Sequence, residues 1–166
     1  MADDVRVLAW VTEGGWEAAI DAVKSLRASS VTLVHVDTVD LPGRGHRHHE
    51  VMERMHALAG EASQALLEDA EERLGYEADK RAETGVAETI VYELAQDHDV
   101  LVLARDGRHI GPHSIGHDQR WVIDHAPCTV IMAWPEGAPD RRDEPPKPKP
   151  KPGPHKPKPK PKPKPL

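Results

Sequence analysis

The stretch that decides the fold covers residues 99–134 and reads DVLVLARDGRHIGPHSIGHDQRWVIDHAPCTVIMAW. It opens with a β-branched and aliphatic run, Val100–Ala104, that is too short for a helix, and continues into a glycine-containing loop over 106–116. A helix-length segment follows, stops at His125-Ala126-Pro127, and gives way to a second apolar run over 128–134. Strand, loop, helix and strand at these lengths indicate a βαβ unit. We therefore predict a parallel sheet whose ligands bind beyond the carboxyl ends of its strands.

The preceding part of the chain repeats this alternation. Strands are predicted at 5–11, 31–36 and 76–83, and helices at 16–27, 50–74 and 86–97. This order is typical of an α/β domain with a single open parallel sheet and helices on both faces.

Two of these elements carry specific expectations. The spacing in the helix at 50–74 predicts an inner stripe of Val51, Met55, Leu58, Ala62, Ala65, Leu66 and Ala70. In the strand at 76–83 only Tyr76, Ala78 and Ala82 alternate inward, and the other residues are largely charged. Such a strand suits the edge of a sheet, where one side is exposed.

The carboxyl-terminal 22 residues differ in kind from the rest of the chain. They hold 8 of its 22 lysines and arginines and none of its 28 acidic residues, so the body carries about −14 and the tail about +8. Alternating lysine and proline blocks helices and sheet ladders and favours an extended, disordered segment. We predict an α/β domain over 1–136 and a disordered Pro/Lys-rich tail over 137–166.

The charge of this tail suggests two roles. A basic tail can bind an anionic partner, which would be an acidic protein, nucleic acid or a membrane surface. Because no aromatic or apolar anchor accompanies the lysines, a solubilising segment without a specific partner is the alternative.

The cysteine content and the hydropathy of the sequence indicate the cellular location of the protein. The single cysteine, Cys128, excludes an intramolecular disulfide and fits a reducing cytosol. No apolar run approaches membrane-spanning length, and the first four residues lack the basic start of a signal peptide. We expect a cytoplasmic protein without a transmembrane segment.

Several motifs resemble the universal stress protein family. They are LVLARDGR at 101–108, Gly116, VIDHAPCTV at 122–130, and LVHVD at 33–37. The resemblance implies a five-stranded sheet in the order 3-2-1-4-5, in which the turn at 12–15 faces the loop at 106–116. It also implies a stress-response protein that forms a homodimer through its last strand. The expected dimer edge consists of Thr129, Val130, Ile131, Met132 and Ala133.

The family's nucleotide motif is only partly retained. ATP-binding members carry Gly, two residues, Gly, nine residues, and then Gly followed by Ser or Thr. Here Ala104 replaces the first glycine, the second gap is one residue short, and His117 replaces the hydroxyl residue. An acidic residue that contacts adenosine at the end of the first strand is also missing. The nucleotide-binding candidates are Thr12, Arg105, Gly107, Arg108, Gly116 and His117. Alternatively, the glycines only turn the chain and pack the helix on the sheet.

Histidines offer a separate hypothesis. His109, His113 and His117 recur at every fourth residue, and His113 and His117 would share a helical face if Pro112 began the helix. Such a pair is able to chelate Zn or Ni, and histidine enrichment also suits a pH sensor. Solvated surface histidines are the simpler interpretation.

The sequence contains no persuasive arrangement of a nucleophile and a base, so we do not predict an enzyme. Ser114 near His113 and His117 has no orienting acid in a defined place. The leading hypothesis is a regulatory or interaction protein in the stress response without ordinary ATP binding. The first rival is an adenine-nucleotide switch that uses Gly107, Gly116 and His117, with ATP as its ligand. The second rival is a histidine-based metal or pH sensor. No cofactor is firmly implied.

Overall fold

The computed structural model describes residues 4–38, 49–105 and 115–135. In these ranges five strands alternate with four helices. They are β1 (Arg6–Trp10), α1 (Trp16–Ser25), β2 (Ser30–Asp37), α2 (His49–Leu74), β3 (Asp79–Thr84), α3 (Ala87–Ala95), β4 (Val100–Ala104), α4 (His117–His125) and β5 (Thr129–Ala133). The predicted alternation is confirmed, and the tail over 137–166 lies outside the described residues.

The strands form one parallel sheet in the order β3-β2-β1-β4-β5, as predicted. β1 occupies the centre, where Val7 lies opposite both Val31 of β2 and Val100 of β4. The chain moves outward in one direction from β1 to β3 and in the other from β4 to β5. The carboxyl ends of β1 and β4 therefore form the switch point of the sheet, which is where ligands bind in open α/β folds.

Helices cover both faces of the sheet because the central strands are apolar on both sides. α1 and α2 pack on one face and α3 and α4 on the other. The buried residues on the first face are Val7, Ala9, Val11, Ala19, Ile20, Val23, Leu33, Leu67, Ala70, Leu74 and Val102. Those on the second face include Leu8, Trp10, Val34, Val91, Leu101, Leu103 and Val122.

β3 is an edge strand, as predicted, but the predicted inward alternation is wrong. Tyr76 lies before the strand and is 46% exposed, Ala82 is exposed, and only Ala78 packs against the core. The strand forms because its backbone pairs with β2 along its whole length. An ion pair between Lys80 and Glu71 of α2 ties it down, and the hydrogen bond from Lys80 lowers the pKa of Glu71.

α2 turns a different stripe inward from the one predicted. Among the predicted residues Ala70 is buried and Leu66 is half-buried, but four others are exposed, which are Met55, Leu58, Ala62 and Ala65. The side chain of Val51 lies outside the described residues. The buried positions are instead Ser63, Leu67, Ala70 and Leu74, at spacings of four, three and four residues. Both stripes have helical periodicity, and only the second one faces the sheet and α1.

An ion pair fixes the start of the central strand pair. One carboxylate oxygen of Asp99 accepts hydrogen bonds from the Arg6 backbone N–H at 2.9 Å and from Arg6 Nε at 3.2 Å. The other oxygen accepts from Arg6 Nη2 at 3.1 Å. The Asp99 N–H in turn donates to the Arg6 carbonyl at 2.9 Å. This reciprocal contact joins β1 to the residue that precedes β4 and so sets their register.

None of the helices in the described ranges combines the length and the apolar character that a membrane-spanning helix requires.

Two leucine truncations test which face of α2 is buried. We expect Leu67→Ala to lower the free energy of unfolding by about 2–5 kcal/mol, because Leu67 is completely buried and its truncation leaves a cavity. Leu58→Ala, at an exposed position of the same helix, should change it by less than about 0.5 kcal/mol. Urea denaturation measures both values. Equal losses of unfolding free energy in the two variants would contradict the burial of the Leu67 face.

The Arg6–Asp99 pair predicts a dependence of stability on pH. Hydrogen bonds from Arg6 lower the pKa of Asp99 to about 2, below its ordinary value of about 3.9. The stabilising contribution is therefore fully present above about pH 4 and is lost as the pH falls towards 2. We expect Asp99→Asn to destabilise the protein at pH 7, and the difference from wild type to shrink between pH 4 and pH 2 in urea denaturation. Asp124→Asn, at an exposed position of α4, is the control. A difference that stays constant down to pH 2 would show that the ion pair does not titrate in this way.

Candidate functional site

The candidate site lies at the switch point, where three chain segments meet. The turn after β1 contains Thr12 and Gly15, β4 ends at Ala104 and is followed by Arg105, and Gly116 precedes α4. The amide of Gln119 on α4 donates to the Ala104 carbonyl at 3.1 Å, which ties the helix to the end of β4. Of the predicted nucleotide-binding residues, the structure places Thr12, Arg105, Gly116 and His117. Gly107 and Arg108 lie outside the described residues.

Gly15 makes the closest approach between the β1 turn and β4. It adopts a left-handed conformation with φ of 102°, and its carbonyl accepts from the N–H groups of Ala18 and Ala19 at the start of α1. A Cβ atom at this position would lie 3.2 Å from Ala104 Cβ, 3.2 Å from the Arg105 carbonyl oxygen and 3.5 Å from Pro135 Cβ. Glycine is therefore needed here both for its backbone conformation and for the contact.

Thr12 places a hydroxyl group at the end of β1. The Thr12 side-chain oxygen is buried, and within the described part of the chain it has no hydrogen-bond partner. A buried polar atom without a partner costs about 1–3 kcal/mol, so a ligand or water that reaches it recovers that energy. The position is also uncharged, in contrast to the acidic residue that the family resemblance implies there.

Arg105 contacts the ring of Trp134, a residue that we did not predict to lie at the site. Its guanidinium carbon lies 4.1 Å from the centre of the Trp134 ring, a cation–π distance, and its backbone N–H donates to the Ala133 carbonyl at 3.1 Å. The sequence placed Arg105 among the nucleotide-binding candidates. In the structure its positive charge lies over Trp134, which follows β5 at the same edge of the sheet. An aromatic residue directly after the last strand was the available signal.

The start of α4 has the features of an anion site, but His117 does not point into it. Gly116 is the N-cap residue and, as a glycine, makes no side-chain cap hydrogen bond. The His117 side chain is 91% exposed, and its Nδ1 lies 3.4 Å from an Asp118 carboxylate oxygen. This geometry fits a surface histidine better than a phosphate donor.

The predicted metal pair stays a prediction. His113, like His109, lies outside the described residues, so the distance between His113 and His117 is not defined. In the described ranges no three His, Cys, Asp or Glu side chains come together as a metal site.

A polar cluster that the sequence reasoning missed lies beside Thr12. His35 of β2 is 9% exposed, and its Nδ1 donates to the Val11 carbonyl at 2.7 Å. Its Nε2 lies 4.0 Å from an Asp37 carboxylate oxygen. Ser63 Oγ of α2 lies 2.7 Å from the other Asp37 oxygen and 2.9 Å from the Ala59 carbonyl, and its single proton is donated to one of them at a time. The cluster joins β1, β2 and α2 and stiffens this edge of the sheet. Its signal was the alternation of His35 and Asp37 along one strand.

Two further features are the Cys128 thiol and a cavity beside α1. Cys128 is half-buried, and burial raises the pKa of its thiol, so it is protonated at neutral pH. A cavity of about 330 Å³ lies between α1, the end of α2 and Trp134. Two of its charged groups, Asp21 and Arg73, are paired at 2.8 Å. Its lining residues are Glu17, Ala18, Asp21, Arg73 and Trp134.

The close approach at Gly15 predicts that alanine destabilises the protein more at this position than at Gly75. Gly75 is also left-handed, with φ of 84°, but a Cβ there would meet no atom within 4 Å. Gly75→Ala should therefore cost only the backbone strain, about 1–2 kcal/mol. Gly15→Ala should cost about 1–3 kcal/mol more, because Ala104 and Arg105 must also move. Urea denaturation of both variants measures the difference, and equal costs would rule out the tight contact.

Comparison with known proteins identifies the fold through solved structures. No protein-family model and no curated protein matches the chain. The universal stress protein UspA from Lactobacillus plantarum is 20% identical and superposes with a TM-score of 0.59, covering 80% of this chain and 99% of that one. A universal stress protein in complex with cAMP is 20% identical, with a TM-score of 0.55 and coverage of 78% and 96%. A family member from Arabidopsis thaliana with AMP bound is 13% identical, with a TM-score of 0.53 and coverage of 79% and 92%.

Proposed function

Because this chain has the universal stress protein fold, we propose that it is a regulatory or interaction protein of the stress response that does not bind ATP in the manner the family motif implies. The observation that carries this proposal is the contact between the β1 turn and the end of β4. Ala104 stands where the motif has its first glycine. Its methyl group lies against Gly15, so the side chain occupies space that glycine would leave.

The charges of the site support the same proposal. Thr12 follows β1 at the place where ATP-binding relatives carry an acid. Its hydroxyl can donate one hydrogen bond and accept others, but it carries no negative charge. Arg105 lies over Trp134, and the His117 side chain is directed into solvent. Three of the side chains that would contact a nucleotide triphosphate are therefore altered or engaged elsewhere.

The second candidate function is an adenine-nucleotide switch with an altered set of contacts. The specific observation in its favour is the buried Thr12 hydroxyl, which has no partner among the described residues and lies next to the sheet's switch point. The N-terminus of α4, which begins after a glycine N-cap, would add backbone N–H groups for a phosphate. Two solved structures with this fold hold AMP or cAMP, so a monophosphate is the first ligand to test.

We further propose that the protein forms a homodimer in the cytoplasm through β5. β5 lies at the edge of the sheet, and within the described ranges only β4 pairs with it. Val130, Ile131, Met132 and Ala133 are half-buried, so an apolar strand lies at this edge. Uncovered edges of this kind are pairing sites. The Lys-Pro tail would then extend from the region of the dimer towards an anionic partner.

Calorimetric titration separates the two candidate functions. AMP and Mg-ATP are titrated separately into nucleotide-free protein, into Thr12→Val and into Thr89→Val, an exposed control on α3. The leading proposal predicts no saturable heat for either nucleotide at high micromolar protein. Binding of AMP that weakens about fivefold or more in Thr12→Val, through the loss of one hydrogen bond, but not in Thr89→Val would contradict it and support the nucleotide switch.

A further inference from the structure

α2 presents an apolar stripe to solvent as well as one to the core. Met55 is 60% exposed and Leu58 is 63% exposed, and Ala62 and Ala65 continue the row at spacings of three and four residues. We call these four residues the outer stripe. They lie on successive turns of one helix face, about a third to a half turn away from the buried stripe that ends in Leu74.

The outer stripe differs from ordinary exposed apolar residues. Single exposed apolar side chains are common on protein surfaces and need no explanation. The other large exposed apolar residues in the described ranges, Tyr76, Val86 and Trp134, lie on separate segments. Met55 and Leu58, in contrast, are neighbours on one helix. A contiguous apolar row of this kind marks an interaction surface.

The surface beside the outer stripe is mainly acidic, although Arg54 is exposed one turn before Leu58. Glu61 and Glu68 lie along one flank, within about 60–80° of Leu58 around the helix. Asp69 and Glu72 follow at the carboxyl-terminal end, and all four acids are exposed. A binding partner must therefore match both an apolar row and a row of negative charge.

We propose that the outer stripe binds an amphipathic helix of a partner protein, with an apolar face that covers Met55 and Leu58 and lysines or arginines that face Glu61 and Glu68. Amphipathic helices bind apolar surfaces through anchors at helical spacing. Methionine suits this role because its flexible, polarisable side chain adapts to different partners. Opposite charges along the flank would orient the partner and speed its association.

Two other occupants fit the surface less well. A second copy of this chain would bring its own Glu61 and Glu68 to the interface, and like charges would oppose each other there. The Lys-Pro tail has positive charge, but from residue 145 onward Leu166 is its single apolar residue other than proline. A polyproline helix has three residues per turn, so alternating lysine distributes its charge over every side and leaves no apolar face.

The test uses the full chain and a synthetic helical peptide of 18 residues with a leucine stripe flanked by lysines. A scrambled peptide of the same composition controls for charge alone. Protein variants are Met55→Glu with Leu58→Glu, and a matched control, His56→Glu with Gly60→Glu. The control adds the same charge at exposed positions on another side of the same helix. A third variant, Glu61→Lys with Glu68→Lys, reverses the flank. Fluorescence anisotropy at physiological salt gives Kd, and circular dichroism checks the helix content.

We expect the outer-stripe variant to raise Kd at least tenfold, the flank variant to raise it about as much, and the matched control to stay within about twofold of wild type. Equal binding of the scrambled peptide, or equal affinities of the outer-stripe variant and its control, would overturn the proposal. Sedimentation velocity provides a further check. A wild-type dimer that the outer-stripe variant dissociates would assign the surface to a second copy, and so would also overturn it.

Discussion

The pairing of β1 with β4 is the interaction on which the rest of the structure depends. β1 lies at the centre of the sheet with its side chains buried alternately on both faces, so it contributes to both parts of the core. Asp99 receives the Arg6 side chain and backbone at one end of the pair and thereby fixes the register. At the other end the same register brings the β1 turn against Ala104 and Arg105. The geometry of the candidate site is therefore a consequence of how the two strands start.

The site itself combines close packing with incomplete hydrogen bonding. A Cβ atom at Gly15 would lie only 3.2 Å from Ala104 Cβ, while the nearby Thr12 hydroxyl is buried without a partner in the described ranges. The His35–Asp37–Ser63 cluster holds the neighbouring strand and α2 in place. A small ligand that donates or accepts one hydrogen bond at Thr12 fits this arrangement better than a ligand that requires a negative charge at the end of β1.

The fold was predictable from the sequence wherever a strand was apolar on both faces. Val100–Ala104 and the run around Leu33 allow only a buried strand, and the family resemblance supplied the strand order. The buried face of α2 was not predictable, because Met55 and Leu58 have the same spacing as the buried residues Leu67 and Ala70 and only the position of the sheet decides between them. The contact between Arg105 and Trp134 was also missed. It joins residues that follow β4 and β5. The sequence shows an aromatic residue directly after β5, but its pairing with Arg105 depends on how the two strands align.

β3 forms without an alternating apolar pattern, because the backbone of the neighbouring strand β2 is available for pairing. Its six residues are exposed or half-buried, and the strand is held by its ladder with β2 and by one ion pair to α2. Most side chains of β3 therefore contribute little to specifying the fold. It should tolerate wide substitution, provided that β propensity and Lys80 are kept. For protein engineering, that makes 79–84 a region where a short recognition sequence could be written into a strand without redesigning the core.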